Sequence, residues 1–345
     1  MSASSLNIAV LAGGFSGEAD VSRRSAAMVM AHMDTERFDP YLVHIERDGW
    51  WAEDPENGAR IPVDKDTLGF TNSRGNDIQA DLAFVMVHGT PGEDGVLQSH
   101  LDLCGLPHTT ANARVMATTF HKGWTTALLR DAGIPVAHSV ECQPSETWNA
   151  DRVDEVVAQL GLPCFVKPNE SGSSIGITRV AEPHELWPAI ERARNTGTST
   201  VLIEALLLGR EFTCGVIPDG HGGVQVLPVT EIMTHNAFFD YAAKYDGESQ
   251  EVTPAKVNER DTIALQQTAQ KVYHTLHLEG MARVDMMMVE GGDPHVIEIN
   301  TVPGFSAQSI IPQQAEAKGI GKVELISLLI DDALLRAKKK GHSVE

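Results

Sequence analysis

At 345 residues the chain is too long for one compact core and suits two or three domains. A formal charge of −20 at pH 7 and a pI near 5.0 exclude a basic nucleic-acid-binding body. With 42% hydrophobic residues, a mean hydropathy of −0.14 and no apolar run near the ~18 residues that span a bilayer, it reads as a soluble, cytoplasmic α/β protein with no membrane partner. The opening residues lack the charged segment of an export signal. Cys104, Cys142, Cys164 and Cys214 lie far apart in apolar surroundings, and none forms a close Cys/His pair of zinc-ligand spacing. They read as free, mostly buried thiols.

Residues 6–11 read as a buried strand, followed by a glycine-rich run (Gly13, Gly14, Gly17) and a helix over about 20–33. Strand, glycine loop and helix make the ligand-binding start of a doubly wound parallel sheet. The spacing is not G-x-G-x-x-G, so a dinucleotide site is the minor reading, kept open by Glu46 after the second strand at 41–45. Glu18 precedes the helix, where its carboxylate either caps the helix or holds a ligand amine; local chemistry does not choose. A third strand, 81–87, runs into His88, Gly89, Pro91, Gly92, Glu93 and Gly95. Ligands bind beyond the carboxyl ends of such strands, which puts His88 and Glu93 at a site. Turn chemistry alone also accounts for the glycines and Pro91. A helix over 95–104 leads to the end of a first domain, 1–112.

A second domain, 113–207, opens with one long helix over 113–131 that carries Lys122 and Trp124. A strand at 135–142, a helix at 151–160 and a strand at 163–168 follow, the last ending in Lys167 and Pro168. The loop beyond it holds Ser171, Gly172, Ser173, Ser174 and Gly176. A lysine before a loop of small residues is built to surround phosphate, although a ligand-free hairpin loop fits the same residues. After a helix at 182–194, the apolar strand 200–207 is interrupted by Glu204, a costly carboxylate unless paired or ligand-bound.

The third domain, 208–345, is α+β in pattern, with a hairpin at 211–217 and 225–231. An irregular stretch, 233–252, carries Phe238, Phe239, Tyr241, Lys244 and Tyr245 and reads as a lid, because so many aromatics are costly in water. A helix at 260–278 leads to runs at 281–289 and 295–301 around Gly291 and Gly292. A two-residue turn there sets Asp285 opposite Glu298 and Arg283 opposite Asn300 on one face, with Val284, Met286, Ile297 and Ile299 on the other. Two carboxylates and an amide side by side need a cation, and hard oxygen ligands suit Mg²⁺; a solvated polar face is the plain alternative. A last helix, 323–338, ends in Lys338, Lys339 and Lys340, which suits a helix C-terminus.

In this order the motifs resemble the D-alanine–D-alanine ligases of the ATP-grasp superfamily, from about residue 6 to 320. The motifs are Gly13-Gly14 with Glu18, His88-Gly89 with Gly92-Glu93-Asp94-Gly95, Lys122, Val166-Lys167-Pro168, Gly172-Ser173-Ser174, Phe239-Asp240-Tyr241 with Lys244-Tyr245, Arg283-Val284-Asp285, Glu298-Ile299-Asn300 and Pro303-Gly304. The resemblance implies an ATP-dependent ligase that phosphorylates one D-alanine and lets the amine of a second attack the acyl phosphate, for peptidoglycan precursor synthesis. It assigns Asp285, Glu298 and Asn300 to two Mg²⁺ ions, with Mn²⁺ as a substitute. It gives ATP to Lys122, Lys167, Ser173, Ser174, Glu204, Ala205, Leu207, Glu211 and Lys244. Glu18 holds the first ammonium, linked to Ser173 and Tyr245, while Arg283 and the Gly304 N–H stabilise the oxyanion. Ser309 and Ile310 belong to the second-substrate pocket, with His88 and Glu93 nearby. A cytoplasmic homodimer is implied as well. Ser171 and Ala282 depart from the family pattern. The near alternatives add D-lactate or D-serine second; Tyr245 resembles the D-alanine-adding members. From other classes, a nicotinamide-dependent oxidoreductase or a silent nucleotide-binding module would leave much of this order unused.

Overall fold

The strands at the centre of the first sheet are apolar almost throughout, the mark of a strand covered on both faces. The computed structural model describes residues 5–54, 56–146, 148–172, 175–234 and 249–341. In it β1 (Leu6–Gly13) pairs in parallel with β2 (Phe38–Glu46) and with β7 (Leu82–Val85). Helix α1 (Ala19–Ala31) crosses between β1 and β2. These are the three strands expected of a doubly wound start. The expectation leaves out β3 (Gly49–Glu53) and β4 (Arg60–Pro62), which extend the β2 edge antiparallel, and the small ribbon of β5 (Phe70–Thr71) and β6 (Asp77–Ile78). Helix α2 (Val96–Leu103) follows β7.

The long helix expected over 113–131 is two helices, α3 (Ala113–Phe120) and α4 (Lys122–Asp131). His121 breaks them by taking an extended backbone, φ −87° and ψ 99°. Its ring nitrogen accepts the Trp124 N–H at 3.2 Å and stacks on the Trp124 ring at 4.3 Å, so the break doubles as the cap of α4. A second sheet follows, in the order β10-β9-β11-β8, from β8 (Ser139–Cys142), β9 (Cys164–Pro168), β10 (Thr178–Val180) and β11 (Val201–Ala205). Helices α5 (Ala150–Leu160) and α6 (Leu186–Arg194) help form a core of its own, built on Val156, Val166, Ile190 and Ile203.

The third sheet has the order β15-β14-β12-β16-β17, with β13 (Val224–Val226) paired to β12. Its members are β12 (Gly209–Pro218), β14 (Thr230–Thr234), β15 (Ser249–Val252), β16 (Ala282–Val289) and β17 (Pro294–Asn300). Helices α7 (Glu259–Thr275), α8 (Ile310–Ala317) and α9 (Lys322–Lys339) pack against it. The stretch expected to be irregular over 233–252 instead contributes to strands at its two ends, where β14 and β15 pair antiparallel, and residues 235–248 lie outside the described residues. One hydrophobic core runs from the first sheet (Ile8, Phe84) into the third (Phe212, Val284), and Arg37 bonds Asp331 across the same junction at 2.6 Å. Among the described residues no helix is long and apolar enough to cross a membrane.

Phe212 is fully buried where α7 meets β12. Phe212→Ala should destabilise the chain by about 3–5 kcal/mol in urea unfolding; a change within experimental error would mean that this core does not hold the third sheet.

Candidate active site

The hairpin of β16 and β17 sets the chemistry. Arg283 stands opposite Asn300 and Asp285 opposite Glu298, as alternation along the two strands predicts. The turn differs. Met288 pairs with Pro294, so the loop is longer than two residues, with Gly292 N–H bonded to the Val289 carbonyl and Gly291 at φ +68°. An irregularity beyond Asp285 takes up the extra residue: Met286 faces Val296, and Ile297 is left over as a bulge. Hence Val284, Met286 and Ile299 are buried as expected, while Val296 takes the place expected of Ile297. Two offsets of one residue cancel before the site is reached.

Across the sheet, Thr213 of β12 stands opposite Asp285. Asp285 is buried, 7% exposed as a residue, and its carboxylate is well partnered. It accepts bonds from Thr213 Oγ1 at 2.5 Å, from Arg283 Nε and Nη2 at 2.8 Å each, and from Asn300 Nδ2 at 2.9 Å. A bidentate guanidinium is the strongest such partner available to a carboxylate. Burial opposes the charge on Arg283, but Asp285, Glu298 and Glu251 outweigh it and hold its pKa above the ordinary value. Glu251 of β15 was not singled out by sequence. Register shows why it belongs here: Glu251, Ile232, Glu211 and Met287 form one row across the face that carries Asp285. Burial raises the Glu251 carboxyl, and Arg283 moderates the rise.

The other two sheets bring their loops to this face. Lys122, in the first turn of α4, donates to the Ser171 carbonyl at 2.6 Å and lies 3.8 Å from Glu298 Oε2. Its backbone is fixed by Asn169, fully buried: the Asn169 carbonyl accepts the Lys122 N–H at 3.1 Å and its side-chain oxygen the Gly123 N–H at 2.9 Å. Lys167 forms a buried pair with Glu204 at 2.5 Å, across β9 and β11. Thus Glu204 is paired, as its apolar strand requires. Ala205 ends β11 and bonds the His138 carbonyl, with Leu207 just beyond. Glu18 makes no side-chain bond to cap α1. Its carboxylate instead lies against Gly172, where a Cβ would come within 2.5 Å of it. Of the two uses open to Glu18, capping is removed.

His88 and Glu93, beyond β7, clamp the segment that follows β17. The His88 Nδ1 lies 2.6 Å from the Val302 carbonyl and Nε2 lies 3.1 Å from Ser25 Oγ. This network assigns the proton to Nδ1. Burial lowers the pKa of His88, so the ring is neutral. The Glu93 carboxylate accepts from Gly89 N–H at 2.7 Å and Val302 N–H at 3.3 Å, and Ser25 Oγ accepts the Phe305 N–H at 3.0 Å. These bonds place Gly304, beside which Ser309 Oγ accepts the Ser306 N–H at 2.9 Å at the start of α8. Glu18, His88, Glu93, Arg283, Gly304 and Ile310 all line one open cleft of about 830 Å³. An adjoining pocket of about 540 Å³ shares Glu93, Gly172, Glu298 and Asn300 with it and adds Lys122. Lys167 and Glu204 line neither. Ser173, Ser174, Lys244 and Tyr245 lie outside the described residues.

Models of the D-ala D-ala ligase N-terminus and C-terminus match residues 7–111 and 128–331. The D-alanine--D-alanine ligase of Porphyromonas gingivalis is 41% identical over 327 residues, 95% of this chain and 97% of that protein. The chain belongs to the D-alanine–D-alanine ligase family. Among solved structures, VanG D-Ala:D-Ser ligase from Enterococcus faecalis superposes with a TM-score of 0.84 at 31% identity, over 96% of this chain and 100% of that one. D-alanine–D-alanine ligase from Bacillus anthracis complexed with ATP gives 0.77 at 28%, over 98% and 100%. The ATP-grasp fold expected from the motifs is thereby borne out, as is the ligase family. For this family member, sequence missed Asn169, Thr213, Ser25 and Glu251. Their roles depend on partners far along the chain, and only the strand register of Thr213 and Glu251 was available to find them.

Burial and Glu18 push the Glu93 carboxyl up to about 7, against the lowering effect of the Gly89 and Val302 N–H groups. The folded ligase therefore holds this proton more tightly than the unfolded chain. The resulting stability is full below the ordinary value of 4.5 and is lost as pH rises through about 7. Glu93→Gln should flatten the fall in thermal midpoint of the ligand-free protein over this range; parallel wild-type and variant curves would contradict the assignment.

Proposed function

We propose that the chain joins two D-alanines into D-alanyl-D-alanine, using ATP to form an acyl phosphate on the first, for peptidoglycan precursors in the cytoplasm. The observation that carries the reading is the row of Asp285, Glu298 and Asn300 beside Arg283, with Lys122 3.8 Å from Glu298 and with Glu18, Arg283, Glu298, Asn300 and Gly304 lining one cleft. The division into domains 1–112, 113–207 and 208–345, one for each sheet, and assembly as a homodimer belong to the same proposal.

Carboxylate and triphosphate repel, so positive charge must lie between them. The site residues fit a hard divalent ion: the side chains offer oxygen donors, and Asp285 already draws a cationic partner in Arg283. Asp285, Glu298 and Asn300 would hold two Mg²⁺ ions, or Mn²⁺, which supply charge neutralisation at the phosphates. Lys122, close to Glu298 and fixed through Asn169, reaches the phosphate side of the cleft. The resemblance gives Lys167, Ser173, Ser174 and Lys244 to ATP as well, with Glu204, Ala205, Leu207 and Glu211 toward adenine and ribose.

Glu18, unused as a helix cap, holds the ammonium of the first D-alanine, with Ser173 and Tyr245 in its hydrogen-bond network. Arg283 and the Gly304 N–H stabilise the oxyanion that forms when the second amine attacks. His88 and Glu93 act by fixing Val302, and so the peptide that presents Gly304, while Ser309 and Ile310 receive the second D-alanine. The lid role that the sequence gives to the stretch 233–252 would keep water from the acyl phosphate. A D-serine-adding ligase is the second reading, favoured by the likeness to VanG D-Ala:D-Ser ligase. The higher identity to proteins named D-alanine--D-alanine ligase supports the first.

Phosphate release from ATP and Mg²⁺ should be fastest with D-alanine and weak with L-alanine, D-serine or D-lactate. Preference for D-serine would move the assignment to the second reading, and no release with any of them would overturn both. Asp285→Asn should reduce Mg²⁺-dependent turnover by about tenfold or more with the fold retained by circular dichroism; loss of the fold instead would make Asp285 structural. Glu18→Gln should raise the KM for the first D-alanine far more than that for ATP, and an equal rise in both would remove its ammonium role.

A further inference from the structure

His100 and Cys104 stand four residues apart at the end of α2, so both side chains lie on one helix face. The sequence reading left Cys104 without a histidine at ligand spacing; helix geometry corrects it. Asp66, from the loop between β4 and β5, completes a group whose ligand atoms all lie within 4.8 Å of one another. Cys104 Sγ is 3.8 Å from His100 Nε2 and 3.8 Å from Asp66 Oδ1. A tetrahedral ion with bonds of about 2.3 Å to sulfur and 2.0–2.1 Å to nitrogen or oxygen sets such neighbours about 3.5 Å apart. The two sulfur distances therefore need only a few tenths of an ångström of closure.

The frame around the group is fixed before any ligand arrives. Asp64 Oδ1 accepts from Asp66 N–H, Thr67 N–H and Thr67 Oγ1 at 2.9–3.1 Å, which sets the turn carrying Asp66. The Trp50 ring meets the His100 ring edge-on at 5.4 Å. The Lys65 carbonyl lies 2.8 Å from His100 Nε2 and offers a second oxygen, the fourth donor atom of the group. Besides burial, Asp66 and Asp64 raise the Cys104 thiol, and the same negative field favours a cation.

We propose that Asp66, His100 and Cys104 form a binding site for a borderline-soft divalent ion of the zinc class, clipping the β4–β5 loop to the end of α2, far in chemistry from the hard-oxygen cleft. Binding replaces the thiol proton by the metal and releases it to solvent. The His100 proton moves to Nδ1, which frees Nε2 as a ligand.

The test uses the full chain freed of metal and titrated with Co²⁺ and Zn²⁺. Wild type should develop thiolate-to-cobalt charge-transfer absorption at one equivalent, bind one more Zn²⁺ in dialysis than Cys104→Ser, and show a higher thermal midpoint with Zn²⁺. Cys104→Ser and His100→Ala should each lose all three while matching the wild-type circular dichroism without metal. Because Cys104 is partly exposed at a helix end, its serine variant keeps the packing; should one variant misfold, the other decides. No thiolate band in wild type, or a band that persists in Cys104→Ser, overturns the site.

Discussion

The arrangement turns on one carboxylate. Asp285 sits almost out of solvent between Thr213, Arg283 and Asn300, in a chain whose formal charge is −20. An unpaired charge at such depth costs several kcal/mol, and breaking a buried pair typically costs about 3–5 kcal/mol. Arg283 therefore has to be near, and the strand alternation that puts both residues on one face makes it so. The same face then collects Glu298, Asn300 and Glu251, more acid than one arginine can balance. That surplus of oxygen is the feature on which the proposed cation and phosphate site rests.

The rest of the molecule serves to bring positive charge and hydrogen-bond donors to that face. Asn169 ties the start of α4 to the strand that carries Lys167, so Lys122 arrives opposite Glu298 already oriented. His88, Glu93 and Ser25 hold the segment that follows β17 by its peptide groups, while its Val302 and Phe305 pack into the shared core. First and third sheets share one core, whereas the middle sheet has its own. The cleft between them thus has one wall made jointly by two sheets and another contributed by the loop at Ser171 and Gly172.

Much of this was legible in the sequence because period-two alternation is a strong constraint. Asp285, Glu298, Arg283 and Asn300 share one face in any register that buries Val284 and Ile299, and the turn at Gly291 and Gly292 narrows the pairing. What alternation does not reveal is a bulge, so Ile297 and the length of the turn were misread even though the site pairs were right. The break at His121 escaped for a similar reason: helical periodicity continues through it, and only the partnership with Trp124 and Asn169 makes the extended backbone favourable. Short strands such as β4, β5 and β6 carry too few residues to show a period. Helix α8 holds Pro312 in its first turn, a position helices tolerate but which reads locally as a break. Contacts such as Glu18 against Gly172 or His88 against Val302 join residues more than a hundred positions apart, and nothing local encodes them.

The central claim is that the acidic row takes its function from divalent cations bridging to nucleotide. Calorimetric titration of ATP into wild type and Glu298→Gln, each with and without Mg²⁺, addresses it directly. The account predicts that Mg²⁺ tightens ATP binding to wild type by about tenfold or more, about 1.4 kcal/mol per decade, and that Glu298→Gln loses most of that gain while still binding the bare nucleotide. An equal Mg²⁺ effect in both proteins would contradict it.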